Sequence, residues 1–288
     1  MKLATVRLDG RTAAVRIDGD QAVETGAPDV GTLLRGSGWR ERAAAAAGPR
    51  HPAGRLDYAP LVPRPSKIIC VGLNYRAHIS ETGMPVPRYP ALFAKFTPAL
   101  IGAFDDIELS AAATQWDWEA ELGVVVGTPA FRVDEAAAVA AIAGYTVVND
   151  ISARDWQTRT SQWLQGKTFA RTTPVGPYLV TPDEAGQAHE ISCEVNGELK
   201  QQANTADLVF GPAALIAYIS AILPLEPGDL IVTGTPGGVG HARKPPQHLA
   251  HGDTVVTRIS GVGECRNTCR RQRQGEAHVR APRCSIQK

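Results

Sequence analysis

The chain has 288 residues, enough for one large domain or two modest ones. Hydrophobic residues make up 43% and charged residues 20% of it, a globular composition that excludes wholesale disorder. Thirty Lys and Arg residues against 29 Asp and Glu residues leave a formal net charge of +1, which argues against a general binder of nucleic acid or membrane surfaces.

The apolar stretches and the number of cysteines indicate where in the cell the protein is located. The longest apolar stretches, at 136–143 and 213–223, are far shorter than the ~20 residues that span a bilayer. The N-terminus lacks the apolar core of a secretory signal. Five cysteines are an odd number, which suits a reducing compartment better than a disulfide framework. We therefore expect a cytoplasmic protein with no membrane partner.

The first 60 residues predict a small β domain. Apolar and polar side chains alternate at 1–8 and 12–18 around Gly10, which is the pattern of a hairpin. Closely spaced prolines then separate this unit from a larger one. Two short helices are predicted in the small domain, at 30–36 and 43–47.

The larger unit, residues 61–269, predicts a β-rich α+β architecture. Its strand signals are short, β-branched and bounded by Gly, Pro or Asp, and two helix signals, at 133–143 and 212–222, are too few for a doubly wound sheet. The predicted strands are at 67–72, 119–126, 144–148, 178–180, 192–195, 230–233 and 254–259.

The last segment, residues 270–288, predicts a disordered basic tail. It carries six Lys or Arg residues and one Glu, without apolar periodicity. A basic arm for an acidic partner is the alternative. We expect truncation after Cys269 to leave the stability almost unchanged.

Three carboxylates form the most informative constellation. Glu119 and Glu121 are two apart in a predicted strand, so they point to the same face at a spacing of ~6.6 Å. Asp150 ends another predicted strand and could reach the same point. Three oxygen ligands suit Mg²⁺, Mn²⁺ or Ca²⁺ rather than zinc. The alternative is an edge strand whose outer face is acidic.

A histidine-rich loop is the other candidate metal site. His241, His248 and His251 lie close together, but no Cys or carboxylate partner has the spacing of a zinc ligand there. A solvated loop is the better interpretation.

Five motifs follow one another in the order found in a known family. The chain resembles the fumarylacetoacetate hydrolase family from about residue 60 to residue 268. Its short N-terminal part resembles the acylpyruvase and 2-hydroxymuconate-isomerase branch. The motifs are VGLNYRAH (71–78), EAEL (119–122), VNDISARDWQ (148–157), GKTF (166–169) and PGDLIVTGTPGGVG (227–240).

The resemblance implies a fold, a cofactor and an assembly. The fold is a mixed β-sheet roll around a metal site, and the assembly is a homodimer. Glu119, Glu121 and Asp150 are implied to bind Mg²⁺ or Mn²⁺, with Ca²⁺ as a possible occupant in a crystal.

The resemblance also implies which residues carry the chemistry. His78 and Glu81 lie on one face of a helical turn within a lid, and they form a general-base pair that activates water. Lys167 keeps its charge beside the carboxylates and binds the developing enolate.

Four residues are predicted to bind the substrate. Arg154 and Gln157 follow Asp150 on one helical face and could hold carboxylate or carbonyl oxygens, although Arg154 could equally be a structural partner of Asp150 or Asp155. Gly234 and Thr235 offer a backbone amide and a hydroxyl in a turn, with a plain turn as the alternative.

These roles predict a metal-dependent hydrolase that cleaves the carbon–carbon bond of an acylpyruvate such as fumarylpyruvate. The metal stabilises the pyruvate enolate that cleavage leaves. The alternatives on the same site are an isomerase of 2-hydroxymuconate-type dienoates and an oxaloacetate decarboxylase. A catalytically silent ligand-binding protein is the non-enzymatic alternative. The expected partner is a small diketo acid.

Overall fold

The computed structural model describes residues 1–82 and 85–272, and for residues 81 and 82 the backbone only. Within this part of the chain, no helix is both long and apolar enough to cross a membrane. The helices are α1 (Val30–Arg35), α2 (Trp39–Ala44), α3 (Arg76–Thr82), α4 (Glu135–Ala141), α5 (Arg154–Gln157), α6 (Leu164–Lys167), α7 (Pro182–Ala185) and α8 (Pro212–Ile222).

Strands outnumber helices among the described residues, and parallel and antiparallel pairs occur together, which confirms the β-rich α+β prediction. The strands are β1 (Lys2–Leu8), β2 (Arg11–Asp18), β3 (Gln21–Glu24), β4 (Arg50–Pro52), β5 (Asp57–Tyr58), β6 (Ile68–Gly72), β7 (Ala91–Lys95), β8 (Leu100–Ile101), β9 (Ile107–Leu109), β10 (Trp116–Asp117), β11 (Ala120–Val126), β12 (Ile142–Asn149), β13 (Ser152–Ala153), β14 (Thr173–Val180), β15 (Glu190–Val195), β16 (Glu198–Asn204), β17 (Leu230–Val232), β18 (Thr254–Ile259) and β19 (Gly263–Arg271).

The largest sheet has 12 strands and places β11 in its interior. Its main path runs β4-β3-β2-β1-β14-β12-β11-β17-β6-β7, with β5 beside β1 and β8 beside β14. A second sheet runs β16-β15-β18-β19-β9, and β10 pairs with β13. Because β11 has a neighbour on each side and every one of its residues is buried, the alternative of an acidic edge strand is wrong.

The N-terminal hairpin is confirmed, and it joins the main sheet. Strands β1 and β2 pair antiparallel, and β1 also pairs with β14, with Lys2 opposite Val180 and Leu3 opposite Leu179. Helix α1 buries Leu33 and Leu34 in a core that includes Leu230 of the larger unit. The sheet is therefore continuous across residue 60, and the division of the chain at that point stays a prediction.

The predicted helices are found with shifted ends. Helix α8 covers 212–222 as predicted, whereas α4 stops at Ala141 because Ile142 already pairs with β11. The Asp134 side chain caps α4 by accepting a hydrogen bond from the Ala137 N–H at 2.8 Å. Helix α2 begins earlier than predicted, because a start at Trp39 puts it and Ala43 on one buried face.

The last strand includes the first two residues of the predicted tail. In β19, Arg270 and Arg271 lie opposite Glu108 and Leu109 of β9, and the Gln272 N–H donates to the Leu109 carbonyl at 2.9 Å. Residues 273–288 of the predicted tail lie outside the described residues.

We therefore revise the expectation for truncation. A chain ending at Cys269 loses the Gln272 hydrogen bond and the bond from the Arg271 N–H to the His251 Nδ1. Its free energy of unfolding should be about 1–3 kcal/mol lower than that of a chain ending at Gln272, because each hydrogen bond contributes roughly 1 kcal/mol. Urea denaturation of the two truncated chains tests this. Coincident midpoints would show that the end of β19 contributes nothing.

Candidate active site

Three predicted metal ligands come together where β11 begins and β12 ends. Antiparallel pairing sets Ala120 opposite Asn149, and the Asp150 N–H donates to the Glu119 carbonyl at 2.8 Å. The candidate ligand atoms of Glu119, Glu121 and Asp150 all lie within 4.8 Å of one another, and all three residues are buried. The sheet register therefore assembles the trio that the sequence spacing predicted.

Two buried lysines contact this trio. The Lys167 Nζ, at the end of α6, lies 2.5 Å from the Glu119 Oε2 and 3.0 Å from the Asp150 Oδ2. The Lys95 Nζ, at the end of β7, lies 2.5 Å from the Asp150 Oδ1 and also donates to the Lys167 carbonyl. Sequence reasoning missed Lys95, although a lysine that ends the apolar segment ALFA could have drawn attention to it.

The guanidinium of Arg154 is engaged within the protein. Its Nη2 lies 2.7 Å from the Glu119 Oε1 and 2.9 Å from the Asp117 Oδ2, and its Nη1 donates to the Gln157 Oε1 at 2.8 Å. The structural partners are thus Asp117 and Glu119, not Asp150 or Asp155. Each nitrogen of the guanidinium thus has a partner within the protein, and because Arg154 also lines the pocket, its contact with substrate stays a prediction.

Glu121 differs from its two neighbours in its partners. It forms no ion pair with any described cationic side chain, and its Oε2 accepts a hydrogen bond from the Gly234 N–H at 2.5 Å. This amide, predicted to hold a substrate carboxylate, therefore serves Glu121 instead. Thr235 does line the pocket described below, and its hydroxyl oxygen accepts from the Gln201 Nε2 at 2.8 Å.

The uneven pairing shifts the pKa values of the charged groups. Burial and the neighbouring carboxylates of Asp150 and Glu119 raise the pKa of Glu121 well above its usual value. Burial also raises the pKa of Glu119, but Lys167 and Arg154 outweigh it, so this pKa lies below its usual value. For Lys167, burial lowers the pKa and the Asp150 and Glu119 carboxylates outweigh it, so the ammonium is the favoured form.

The charge balance tests whether a metal fits. Among the described residues, four buried carboxyl groups face three buried cationic side chains, so full ionisation leaves one negative charge unbalanced, and Glu121 is the carboxyl group without an ion pair. Buried unpaired charge is costly, and carboxylate oxygens are the ligands that hard divalent cations prefer. The residues therefore fit a divalent cation. The groups counted are Asp117, Glu119, Glu121 and Asp150 against Lys95, Arg154 and Lys167.

A pocket of about 250 Å³ opens onto this centre. His78 of α3 is half-buried and lines it, together with Lys167 and two of the carboxylates. The side chain of Glu81, the predicted partner of His78, lies outside the described residues. The other lining residues are Val71, Gly72, Leu73, Phe93, Arg154, Gln157, Thr158, Trp163, Thr235, Val239, His241 and Ala242.

One of the three loop histidines belongs to the pocket. His241 is exposed yet lines the pocket, and its backbone N–H donates to the Asp117 Oδ2 at 2.9 Å. His248 and His251 do not line it, and the three histidines form no metal-ligand group in the described chain. The interpretation of a solvated loop without a metal is therefore confirmed for the described residues, and the structure adds that His241 borders the pocket. Its position directly after the GVG of the last motif was the signal that sequence reasoning passed over.

A family model now accounts for most of the chain. The model of the fumarylacetoacetate (FAA) hydrolase C-terminal domain matches residues 67–270. The chain belongs to the fumarylacetoacetate hydrolase family. The resemblance drawn from the five motifs is thereby confirmed.

Relatives within the fumarylacetoacetate hydrolase family include isomerising and hydrolytic proteins. The chain is 45% identical over 225 residues to a mitochondrial oxaloacetate tautomerase of Rattus norvegicus, covering 77% of this chain and 72% of that protein. It is similar to the structure of 5-carboxymethyl-2-hydroxymuconate delta-isomerase from Mycobacterium smegmatis, with a TM-score of 0.80, 32% identity and coverage of 94% and 100%. A fumarylacetoacetate hydrolase from Exiguobacterium antarcticum gives a TM-score of 0.84, 30% identity and the same coverage.

Proposed function

We propose that this member of the fumarylacetoacetate hydrolase family is a divalent-metal-dependent tautomerase of a 2-oxo acid, with oxaloacetate as its substrate. In the ketonising direction the enol oxygen loses its proton and C3 gains one, so no carbon–carbon bond breaks and no water is consumed. The relation to the rat oxaloacetate tautomerase and the structural similarity to a hydroxymuconate isomerase support isomerising chemistry over the acylpyruvate hydrolysis that the sequence predicted first.

The observation that carries the proposal is that the cationic side chains at the pocket are held in ion pairs, while an imidazole lies at the pocket wall. Lys167 and Arg154 are each held by two carboxylates, so they act as fixed positive charges. His78 brings an imidazole to the same pocket, and imidazole is the side chain suited to accept and return a proton near neutral pH. A pocket with fixed charges and an imidazole at its wall supports proton transfer.

The pocket walls also favour proton transfer over attack by water. Phe93 and Trp163 pack edge to face with their ring centroids 5.7 Å apart, and both line the pocket. Together with Val71, Leu73 and Val239 they form an apolar wall. Such a wall offers no hydrogen-bond partner to a water, and hydrolysis would need a water held and activated beside the substrate.

Each group then has a role in the proposed reaction. Glu119, Glu121 and Asp150 would hold the metal, which supplies positive charge for the oxygens at C1 and C2 of the acid. Lys167 adds a fixed charge that favours negative charge on the C2 oxygen. An imidazole nitrogen of His78 delivers a proton to C3 and removes it in the reverse direction, while the proton of the enol oxygen passes to solvent.

The remaining expectations stay predictions. The homodimer, a diketo acid as substrate and the absence of a nucleic-acid partner are untested. The relatives named mitochondrial leave the cytoplasmic location unconfirmed. A catalytically silent protein is disfavoured because the carboxylates, Lys167 and His78 meet at one pocket.

The experiment is an assay of oxaloacetate supplied as its enol. We expect loss of the enol absorbance to accelerate roughly 10²-fold or more with Mg²⁺ or Mn²⁺, the usual contribution of a positioned acid–base group. Chelation with EDTA should remove the acceleration, and added metal should restore it. Pyruvate formation in the same samples measures decarboxylation. Cleavage of fumarylpyruvate, or isomerisation of a muconate-type dienoate, without any effect on the oxaloacetate enol would overturn the proposal.

A further inference from the structure

At the mouth of the pocket lies a cation-capable side chain that has no carboxylate partner among the described residues. Arg154 and Lys167 are held by Asp117, Glu119 and Asp150 at the buried end. His241 also lines the pocket and forms no ion pair with the described residues. Because it is exposed, it lies where the pocket meets solvent.

We propose that His241 determines substrate specificity by binding the distal carboxylate of a dicarboxylic 2-oxo acid. This inference rests on the proposed function, because it assumes that the 2-oxo acid end of the substrate lies at the carboxylate centre. A four-carbon substrate placed that way extends its other end toward the mouth of the pocket. The imidazole there offers an N–H donor, and a protonated imidazole adds positive charge.

The apolar walls of the pocket explain why an anionic group there needs a donor. Val71, Leu73, Val239 and Ala242 offer no donor to an anion, and the rings of Phe93 and Trp163 are similarly apolar. The neutral donors at the wall are the hydroxyls of Thr158 and Thr235 and the amide of Gln157, whose oxygen accepts from Arg154, and none of them can carry a positive charge. An anionic group that enters this apolar surrounding needs a donor, because a carboxylate that loses water without a partner is strongly disfavoured.

Backbone hydrogen bonds hold His241 beside Asp117. The N–H groups of Gly240 and His241 donate to the two oxygens of Asp117 at 2.7 Å and 2.9 Å. Asp117 is fully buried and also binds Arg154. The position of the residue at the mouth is thus fixed by the same carboxylate that fixes Arg154, which preorganises the donor for its ligand.

The test uses two ligands that differ only at the distal end. Malate and 2-hydroxybutyrate share a four-carbon 2-hydroxy acid skeleton, and a methyl group in the second replaces the distal carboxylate of the first. Calorimetry on the Mn²⁺-loaded protein gives the Kd of each. We expect the native protein to prefer malate, and His241→Leu to reduce that preference roughly 10- to 100-fold, the worth of a hydrogen bond to a charged group. His241→Arg should restore it.

The matched control is His251→Gln on the same loop. His251 is exposed, lies outside the pocket and accepts from the Arg271 N–H, which a Gln oxygen can also do. The control should keep the native preference. An unchanged preference in His241→Leu, or a native protein that does not prefer malate, would overturn the inference.

The two proposals fail in different ways. If the native protein accelerates oxaloacetate tautomerisation but His241→Leu keeps the preference for malate, only the role of His241 is wrong. If the preference shifts as expected while oxaloacetate enol is not turned over, the distal-carboxylate site stands and the reaction is wrong.

Discussion

Glu121→Gln is expected to abolish tight binding of divalent metal while the metal-free protein stays folded and at least as stable as the native one. The substitution removes an anionic ligand, and we expect the Kd for Mn²⁺ to rise by more than roughly 100-fold. Loss of a residue that merely hydrogen-bonds to a metal ligand already weakens metal binding about 10- to 100-fold, and loss of the ligand itself should cost more. Stability is kept because the native carboxylate has no ion pair and burying an unpaired charge is costly. The Gln oxygen can still accept from the Gly234 N–H.

Asp150→Asn is the matched comparison, because it removes a ligand of the same kind with different consequences for the fold. Asp150 pairs with both Lys95 and Lys167, so its loss leaves two buried ammonium groups short of a partner. We expect metal binding to fall as in Glu121→Gln, but with a free energy of unfolding about 3–5 kcal/mol lower. Calorimetry with Mn²⁺ and urea denaturation without metal measure the two effects separately.

Two results with these variants would contradict the predictions, one for the metal site and one for the ion pairs. Native affinity for Mn²⁺ in both variants would show that the carboxylates bind no metal. Equal destabilisation of the metal-free protein by both substitutions would show that the ion pairs do not distinguish Glu121 from Asp150.

His78→Ala is expected to reduce tautomerisation by roughly 10²–10⁴-fold, the usual contribution of a positioned acid–base group. The residue lines the pocket and is not one of the three proposed ligands, so the Kd for Mn²⁺ should be unchanged. Steady-state kinetics with oxaloacetate enol, followed with the metal at saturation, measures the loss. The reduction should appear in kcat more than in KM, because the imidazole acts in the transition state.

The control for this variant is the decarboxylation of oxaloacetate, if the native protein shows it. That reaction needs charge stabilisation but no proton delivered to C3 in the bond-breaking step, so it should fall much less. Equal loss of both reactions would mean that α3 only closes the pocket. If His78→Ala kept the full rate of tautomerisation, His78 would have no role in the proton transfer.

The local pattern of the chain was enough to predict several strands of the main sheet and the meeting of three candidate metal ligands. The alternation around Gly10 predicted the β1–β2 hairpin because the strand period is two and the turn is local. The i, i+2 spacing of Glu119 and Glu121 likewise placed both carboxylates at one point. Strand ends were less predictable, since Ile142 looked helical and became strand through its pairing with β11.

The sequence by itself determined the kind of site: three oxygen ligands, a lysine and a histidine in motifs that identify the family. Only the tertiary structure decided how the charges pair. Lys95 reaches Asp150 across 55 positions, and Asp117 holds His241 across 124. Such contacts depend on the order of strands in the sheet, which no local period encodes. That is why the carboxylate partners of Arg154 and Gly234, and the position of His241 at the pocket, were not visible in the sequence.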